Sequence, residues 1–264
     1  MIRFSIVTIT YNAASVLQPT LDSVASQTFR QIEHIIVDGA STDGTVDIAK
    51  EYKIRNDADE EMMHDVVVMS EPDKGLYDAM NKGIRVATGN YILFLNAGDT
   101  FPSADTLENI GAVVGEGETL PSVLYGDTDI VDNEGNVIGH RHHSAPARLT
   151  WRSFMRGMLV CHQAFYARTD LARQTPYNLH YRFSADVDWC IRIMKLGSRQ
   201  GLQTRNTGMV VAHFLEGGMS RKNHRDSLKE RFKIMCRHYG LLTTLVMHLW
   251  FVVRAFGARF KICS

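Results

Sequence analysis

Phe4-Ser-Ile-Val-Thr-Ile-Thr10, followed by Val16, Leu17, Leu21 and Val24, decides the fold class. The first seven residues are rich in β-branched side chains and read as a strand. The apolar positions that follow recur at helical spacing. The alternation continues: Ile32 to Asp38 reads as a strand and Thr45 to Tyr52 as a helix, Val66 to Met69 as a strand and Leu76 to Val86 as a helix, and Tyr91 to Leu95 as a fourth, nearly all-apolar strand. Strands this apolar are covered on both faces, as happens when helices carry the chain back over a parallel sheet. The expectation is an α/β fold with a mostly parallel, doubly wound sheet flanked by helices.

The second half is less regular. Val123 to Gly126 and Ile130-Val131, flanking Asp127-Thr-Asp129, then a turn at Asp132-Asn-Glu-Gly135 leading to Val137-Ile138, predict a hairpin. His162 to Ala167 reads as a strand, and Ala185 to Leu196 as a helix ended by Gly197. Residues Asn223 to Tyr239 form a basic helix, and Leu241 to Phe260 is apolar first and cationic afterwards. The division expected is a main domain over 1–220, with halves at 1–100 and 101–220, and a helical extension over 221–264.

The 29 basic residues equal the 29 acidic ones, so no global field argues for nucleic acid. Cys161, Cys190, Cys236 and Cys263 lie far apart and form no Cys-x-x-Cys pair, which reads as free thiols rather than a zinc site. No secretory signal pattern is visible, and the expected compartment is the cytoplasm.

In open α/β sheets ligands sit beyond the carboxyl ends of the strands. Those ends read Thr10-Tyr-Asn12, Asp38-Gly-Ala-Ser-Thr-Asp-Gly-Thr45, Glu71-Pro-Asp-Lys-Gly75 and Asn96-Ala-Gly-Asp99. Each piece alone has an innocent reading as a helix cap or a turn. Together they suit a base, a ribose and a metal-bound diphosphate. No Gly-x-Gly-x-x-Gly follows the first strand and no Gly-Lys-Ser/Thr loop occurs, so the dinucleotide and P-loop readings fail.

Ser5 to Asn12, Ile36 to Thr45, Gly75-Leu-Tyr-Asp-Ala-Met-Asn-Lys-Gly83 and Gly89 to Asp99, in this order and spacing, resemble family 2 glycosyltransferases. Those are inverting enzymes of the GT-A fold, and the likeness leans toward bacterial colanic acid, capsule and O-antigen assembly. The resemblance implies that Thr10, Tyr11, Asn12, Asp38, Asp73, Lys82, Asn96 and Gly98 line the nucleotide-sugar pocket. It implies a divalent metal, Mn2+ or Mg2+, held by Asp99. Asn96 and Gly98 stand where relatives often carry carboxylates, which weakens the metal set. His213 is read as a second metal ligand or a diphosphate contact, with a simply packed histidine as the alternative; Gly217-Gly218 is read as a mobile loop.

Phe183-Ser-Ala-Asp-Val-Asp-Trp189 resembles the segment in which the family carries its catalytic base. Asp186 takes that place and Asp188 competes with it. Two residues apart, they cannot share one helix face. The resemblance puts His162 and Gln163 on the acceptor side, with a structural histidine as the rival reading. Arg141, His142 and His143 are expected to be solvated. The expected partners are a nucleotide-sugar donor, a glycan or lipid-linked acceptor, an inner-membrane surface at residues 221–264 or else a second copy there, and no nucleic acid. A nucleotidyltransferase and a non-catalytic sugar- or membrane-binding module remain as rivals at this point.

Overall fold

The structure is a computed structural model and describes residues 2–59, 64–114, 119–141, 143–217 and 223–260, without the side chains of 224 and 255–260. The expectations for His142, Gly218, Cys263 and the cations Arg221, Lys222 and Lys261 therefore fall outside the described residues, as does the Arg259 side chain.

The sheet begins with β1 (Phe4–Thr10), β2 (Ile32–Asp38), β3 (Asp65–Ser70) and β4 (Tyr91–Phe94), joined by α1 (Ala14–Ala25), α2 (Thr45–Ala58) and α3 (Leu76–Val86). After α4 (Thr106–Val114) come β5 (Val123–Val131) and β6 (Val137–His140). Then follow β7 (Phe165–Arg168), α5 (Thr169–Gln174), α6 (Ala185–Arg199), β8 (Thr204–Leu215), α7 (His224–Tyr239) and α8 (Leu241–Phe260). The strand order is β3-β2-β1-β4-β7-β5-β6, with β8 also pairing to β5. The first four strands are parallel, β7 is antiparallel to β4 and β5, and β8 runs parallel to β5. The sheet is therefore mixed, and its doubly wound part ends at β4.

Every residue of β1 and β2 is buried. Ile36 packs with Leu17, Leu21, Ala49 and Tyr52 on the α1–α2 side. Ile35 and Val37 face the larger cluster with Met80 and Ile84 of α3. Burying a side chain of this size contributes roughly 1.5–3 kcal/mol. The larger cluster also holds Trp189 of α6, stacked on Tyr177 at 4.8 Å and edge-on to Phe94 at 5.7 Å. Trp189 thus anchors the first turn of α6 beneath the end of β4.

Three sequence expectations change. His162–Ala164 is a 3-10 turn, and the strand starts only at Phe165. Gly197 does not end α6, which runs to Arg199. A Cβ at Gly197 would stand 2.5 Å from Ser122 Cβ, so this glycine serves close packing rather than termination. Arg141 is not simply solvated, because it donates to the Met158 carbonyl at 2.9 Å. Cys161, Cys190 and Cys236 are free thiols.

The segment after residue 220 divides in two. α7 adds Ile234 to the main core. α8 leaves most of its large apolar side chains exposed.

Buried His34 ties the sheet to α2: its Nε2 lies 3.0 Å from Thr8 Oγ1 and its Nδ1 3.0 Å from the Tyr52 hydroxyl. Burial, helped by the positive charge available at His64, pushes its pKa from 6.5 down to about 3. The unfolded chain then binds a proton that the fold excludes, so stability rises with pH between about 3 and 6.5 and is lost as pH falls through that window. Thermal unfolding from pH 4 to 8 should show this slope, and His34→Gln should flatten it.

Candidate active site

Parallel pairing brings the ends of β1, β2 and β3 level, with Thr10 opposite Asp38 and Asp38 opposite Ser70. The loops that follow are tied together by side chains. Asn12 adopts φ +48°, receives the Thr42 N–H at 2.9 Å and donates its own N–H to Ser41 Oγ at 2.8 Å. Asp38 is fully buried and accepts from the Ser41 N–H at 2.9 Å, from Ser70 Oγ at 2.7 Å and from Ser41 Oγ. In this structure Asp38 shapes the loops after β2 and β3 and does not face solvent. Thr10 is likewise buried.

Three expected pocket residues do converge. Tyr11 is 66% exposed, and its ring edge and the Asp73 carboxylate both lie against Gly39. Lys82, buried on α3, reaches Glu71 Oε1 at 3.0 Å and the Pro72 carbonyl at 2.8 Å, fixing the loop that carries Asp73.

Beyond β4 the chain turns sharply through Gly98 at φ +98°. Its N–H donates to Thr20 Oγ1 at 2.8 Å, and a Cβ there would stand 2.7 Å from Leu215 Cδ2. Glycine meets both the backbone and the space requirement. Asp99 follows, 4% exposed, accepting from Gln163 Nε2 at 2.9 Å and from the Leu215 N–H at 3.2 Å. Burial raises its pKa to about 7 although these hydrogen bonds pull it down. His213 sits alongside through paired backbone bonds with Thr100, at 3.1 and 2.8 Å. Burial holds its imidazole below the usual pKa against an upward pull from Asp129.

The structure separates the two aspartates of α6. Asp188 is 1% exposed and held by Arg192 Nε at 2.7 Å and His238 Nε2 at 2.7 Å. Burial alone would raise its pKa, but these two partners hold the carboxyl below its ordinary range. Asp188 is a clamp between α6 and α7. Asp186 turns the other way, its Oδ1 accepting from the Tyr77 hydroxyl at 3.3 Å and from the Val187 N–H at 2.9 Å. Its Oδ2 lies 3.8 Å from His162 Nδ1.

His162 and Gln163, adjacent on the 3-10 turn, therefore address the two carboxylates separately. The Asn96 amide nitrogen donates to His162 Nε2 at 3.1 Å, which leaves the ring hydrogen on Nδ1, facing Asp186. Burial lowers the His162 pKa and so favours the neutral ring; Asp186 pulls the other way and Arg141 adds to the lowering. Sequence reading named Asn96, His162, Gln163, Asp99 and Asp186 but missed Tyr77 and the Leu215 N–H. Tyr77 lies 109 residues before Asp186, and no local pattern links them.

Among the described residues no group of three His, Cys, Asp or Glu side chains is set to hold a metal. The fit is of another kind. Asn96 Oδ1 and Gln163 Oε1 are buried without a hydrogen-bond partner. Gln163 bonds Asp99 directly, and the Asp99 N–H donates to the Asn96 carbonyl at 2.9 Å. One carboxylate with two spare amide oxygens is a hard-oxygen set that suits Mg2+ or Mn2+.

Comparison with known proteins gives the family and the fold. Residues 5–185 match the pattern of Glycosyl transferase family 2. A PGL/p-HBAD biosynthesis glycosyltransferase of Mycobacterium bovis is 40% identical over 220 residues, 82% of this chain and 78% of its own. Glycosyltransferase AglE of Haloferax volcanii is 24% identical over 94% of this chain and 80% of its own. Among solved structures, S. aureus TarS 1-349 in complex with UDP-GlcNAc superposes with a TM-score of 0.66 at 16% identity, covering 97% of this chain and 73% of that one. Mannosyltransferase PcManGT from Pyrobaculum calidifontis, in complex with GDP-Man and Mn2+, gives 0.61 at 18% identity, covering 99% and 81%. The shared architecture is the GT-A fold. The colanic acid and capsule leaning of the sequence finds no support in these relatives. With a matching pattern over most of its length and a 40% identical relative, the chain belongs to Glycosyl transferase family 2 and is a glycosyltransferase.

Proposed function

We propose that this enzyme transfers a sugar with inversion from a nucleoside diphosphate donor to an acceptor hydroxyl, with Asp186 as the base. The observation that carries the reading is the separation of the two α6 aspartates. Asp188 is spent on Arg192 and His238, while Asp186 is turned toward Tyr77 and His162. An acceptor hydroxyl attacks only as its proton is removed, and Asp186 takes that proton. The new C–O bond forms on the face opposite the departing nucleoside diphosphate, so a single displacement inverts the anomeric carbon. Tyr11, Asn12, Asp73 and the loop fixed by Lys82 hold the nucleotide. Asp99, with the Asn96 and Gln163 oxygens and His213, would hold Mn2+ or Mg2+, which neutralises the charge gathering on the diphosphate. The PcManGT complex carries Mn2+, which supports a divalent metal here.

The named mycobacterial relatives belong to PGL/p-HBAD biosynthesis. A lipid-linked glycan acceptor in bacterial surface glycan assembly, colanic acid and capsule included, is the proposal that the sequence resemblance adds. The place of action that fits it is the cytoplasmic face of the cell membrane. No described helix is long and apolar enough to cross a membrane. Yet α8 exposes Leu242, Leu245, Val246, Leu249, Trp250 and Val253. The Arg254 guanidinium sits 4.9 Å above the Trp250 ring. The neighbouring α7 exposes Arg225, Lys233 and Arg237. An apolar face with cations beside it fits an anionic bilayer surface.

A thermal-shift screen of UDP-GlcNAc, GDP-mannose and related nucleotide sugars, with and without Mn2+, selects the donor, since a ligand of the native state raises its apparent stability. With that donor, Asp186→Asn should lower transfer about a hundredfold or more while donor affinity holds. Asp188→Asn should chiefly lower the melting temperature. The reverse pattern assigns the base to Asp188.

Asp99→Asn should remove the Mn2+ dependence of donor binding while the fold persists. Binding that survives both chelation and this change refutes the metal assignment.

The full chain should sediment with vesicles containing phosphatidylglycerol at low salt, and a chain cut after Tyr239 should stay in solution. Equal sedimentation of the two, or a switch from dimer to monomer on cutting, turns α8 into a packing element between copies.

A further inference from the structure

α7 meets the base-bearing helix at its first turn. Ser184 stands at the N-cap position of α6, where a serine ordinarily turns its hydroxyl onto its own helix. Here that hydroxyl goes to α7 instead, lying 2.9 Å from Ser227 Oγ and 3.2 Å from the Ser227 carbonyl. The backbone around it is held by one carboxylate. Glu230 Oε1 accepts the Arg182 N–H at 2.8 Å, and Oε2 accepts the Phe183 N–H at 2.8 Å and the Ser184 N–H at 2.9 Å. A carboxylate is acceptor-only with about four lone-pair sites, so a single side chain can fix three consecutive peptide units. Bonds to an ionised acceptor are also stronger than neutral ones.

Asp186 lies two residues beyond Ser184 and two before Asp188. Both flanking residues are tied to α7, Ser184 through Ser227 and Glu230, Asp188 through His238. α7 therefore holds the backbone before, and a side chain after, the aspartate that faces Tyr77 and His162. We propose that Glu230 is a positioning residue for transfer: by fixing the backbone at 182–184 it sets the direction in which Asp186 meets the acceptor hydroxyl. This rests on Asp186 being the base. Glutamine at 230 keeps the size but offers one oxygen, and it turns an amide N–H toward backbone N–H groups. The base then loses alignment without losing its carboxylate, and small misplacements of a reacting group cost rate steeply.

The test uses the full chain with the donor selected by thermal shift. Release of nucleoside diphosphate, with water as the acceptor that loses its proton to Asp186, gives kcat, and calorimetry gives the donor dissociation constant and the number of donor sites per chain. Glu230→Gln should lower kcat roughly ten- to a hundredfold, with donor affinity and site number unchanged. Full kcat, or a kcat loss matched by an equal loss of donor sites, overturns the proposal. If Glu230→Gln yields no folded protein, Glu230→Asp decides, because it keeps the carboxylate but draws it back from the 182–184 N–H groups. A several-fold kcat loss at full donor occupancy supports positioning, and unchanged kcat overturns it. Asp186→Asn is measured alongside. A severe loss there with a mild Glu230→Gln refutes the positioning role alone, whereas a mild loss there refutes the base assignment on which it rests.

Discussion

The parallel pairing of β1 with β2 on one side and β4 on the other is the constraint on which the site depends. β1 pairs with β2 along its whole length, from Phe4–Ile32 to Thr10–Asp38. On its other side the bonds run past the end of β4, with the Leu95 N–H on the Val7 carbonyl and the Ala97 N–H on the Ile9 carbonyl. A slip of one residue would turn every buried side chain of β1 to the opposite face. With all seven β1 residues buried, such a slip is costly, so the three strand ends stay level. Tyr11 and Asp73 can then meet at Gly39 from loops that are far apart in sequence, with Asp99 beyond the end of the neighbouring β4.

The second half of the sheet supplies what parallel strands cannot. β7 runs back beside β4, so the turn before it delivers His162 and Gln163 to the same end of the sheet as Asp99. β8 runs parallel to β5 and brings its far end to the same place, where the Leu215 backbone completes the Asp99 carboxylate. The result joins a carboxylate that burial pushes up to about 7 to another held by a phenol and faced by an imidazole whose pKa burial lowers. Groups in environments this different are suited to different tasks.

What could be read from sequence follows from range. The β1, β2 and α3 boundaries were legible because their periodicity is local and uninterrupted. β8 was not, because Gly208 at φ +72° breaks its pattern and its pairing with β5 shifts register twice. Gly197 was misread because its reason lies on Ser122, not on its own helix. Asp186 could be named from its motif, but its separation from Asp188 needed His238, 50 residues further along. Tyr77 and Glu230 carry no motif of their own for this purpose; their parts appear only when the chain is folded.

The Leu215 N–H that meets Asp99 has a consequence for the timing of synthesis. That bond spans 116 residues, and it forms only after β8 has emerged and docked. The loops after β1, β2 and β3 belong to the first hundred residues, which leave the ribosome first. Until β8 arrives, the Asp99 carboxylate beyond β4 lacks its Leu215 partner. Long-range closure of this kind is slow because the chain entropy must be spent before the contact forms. Completion of the Asp99 turn therefore waits on the last strand of the sheet.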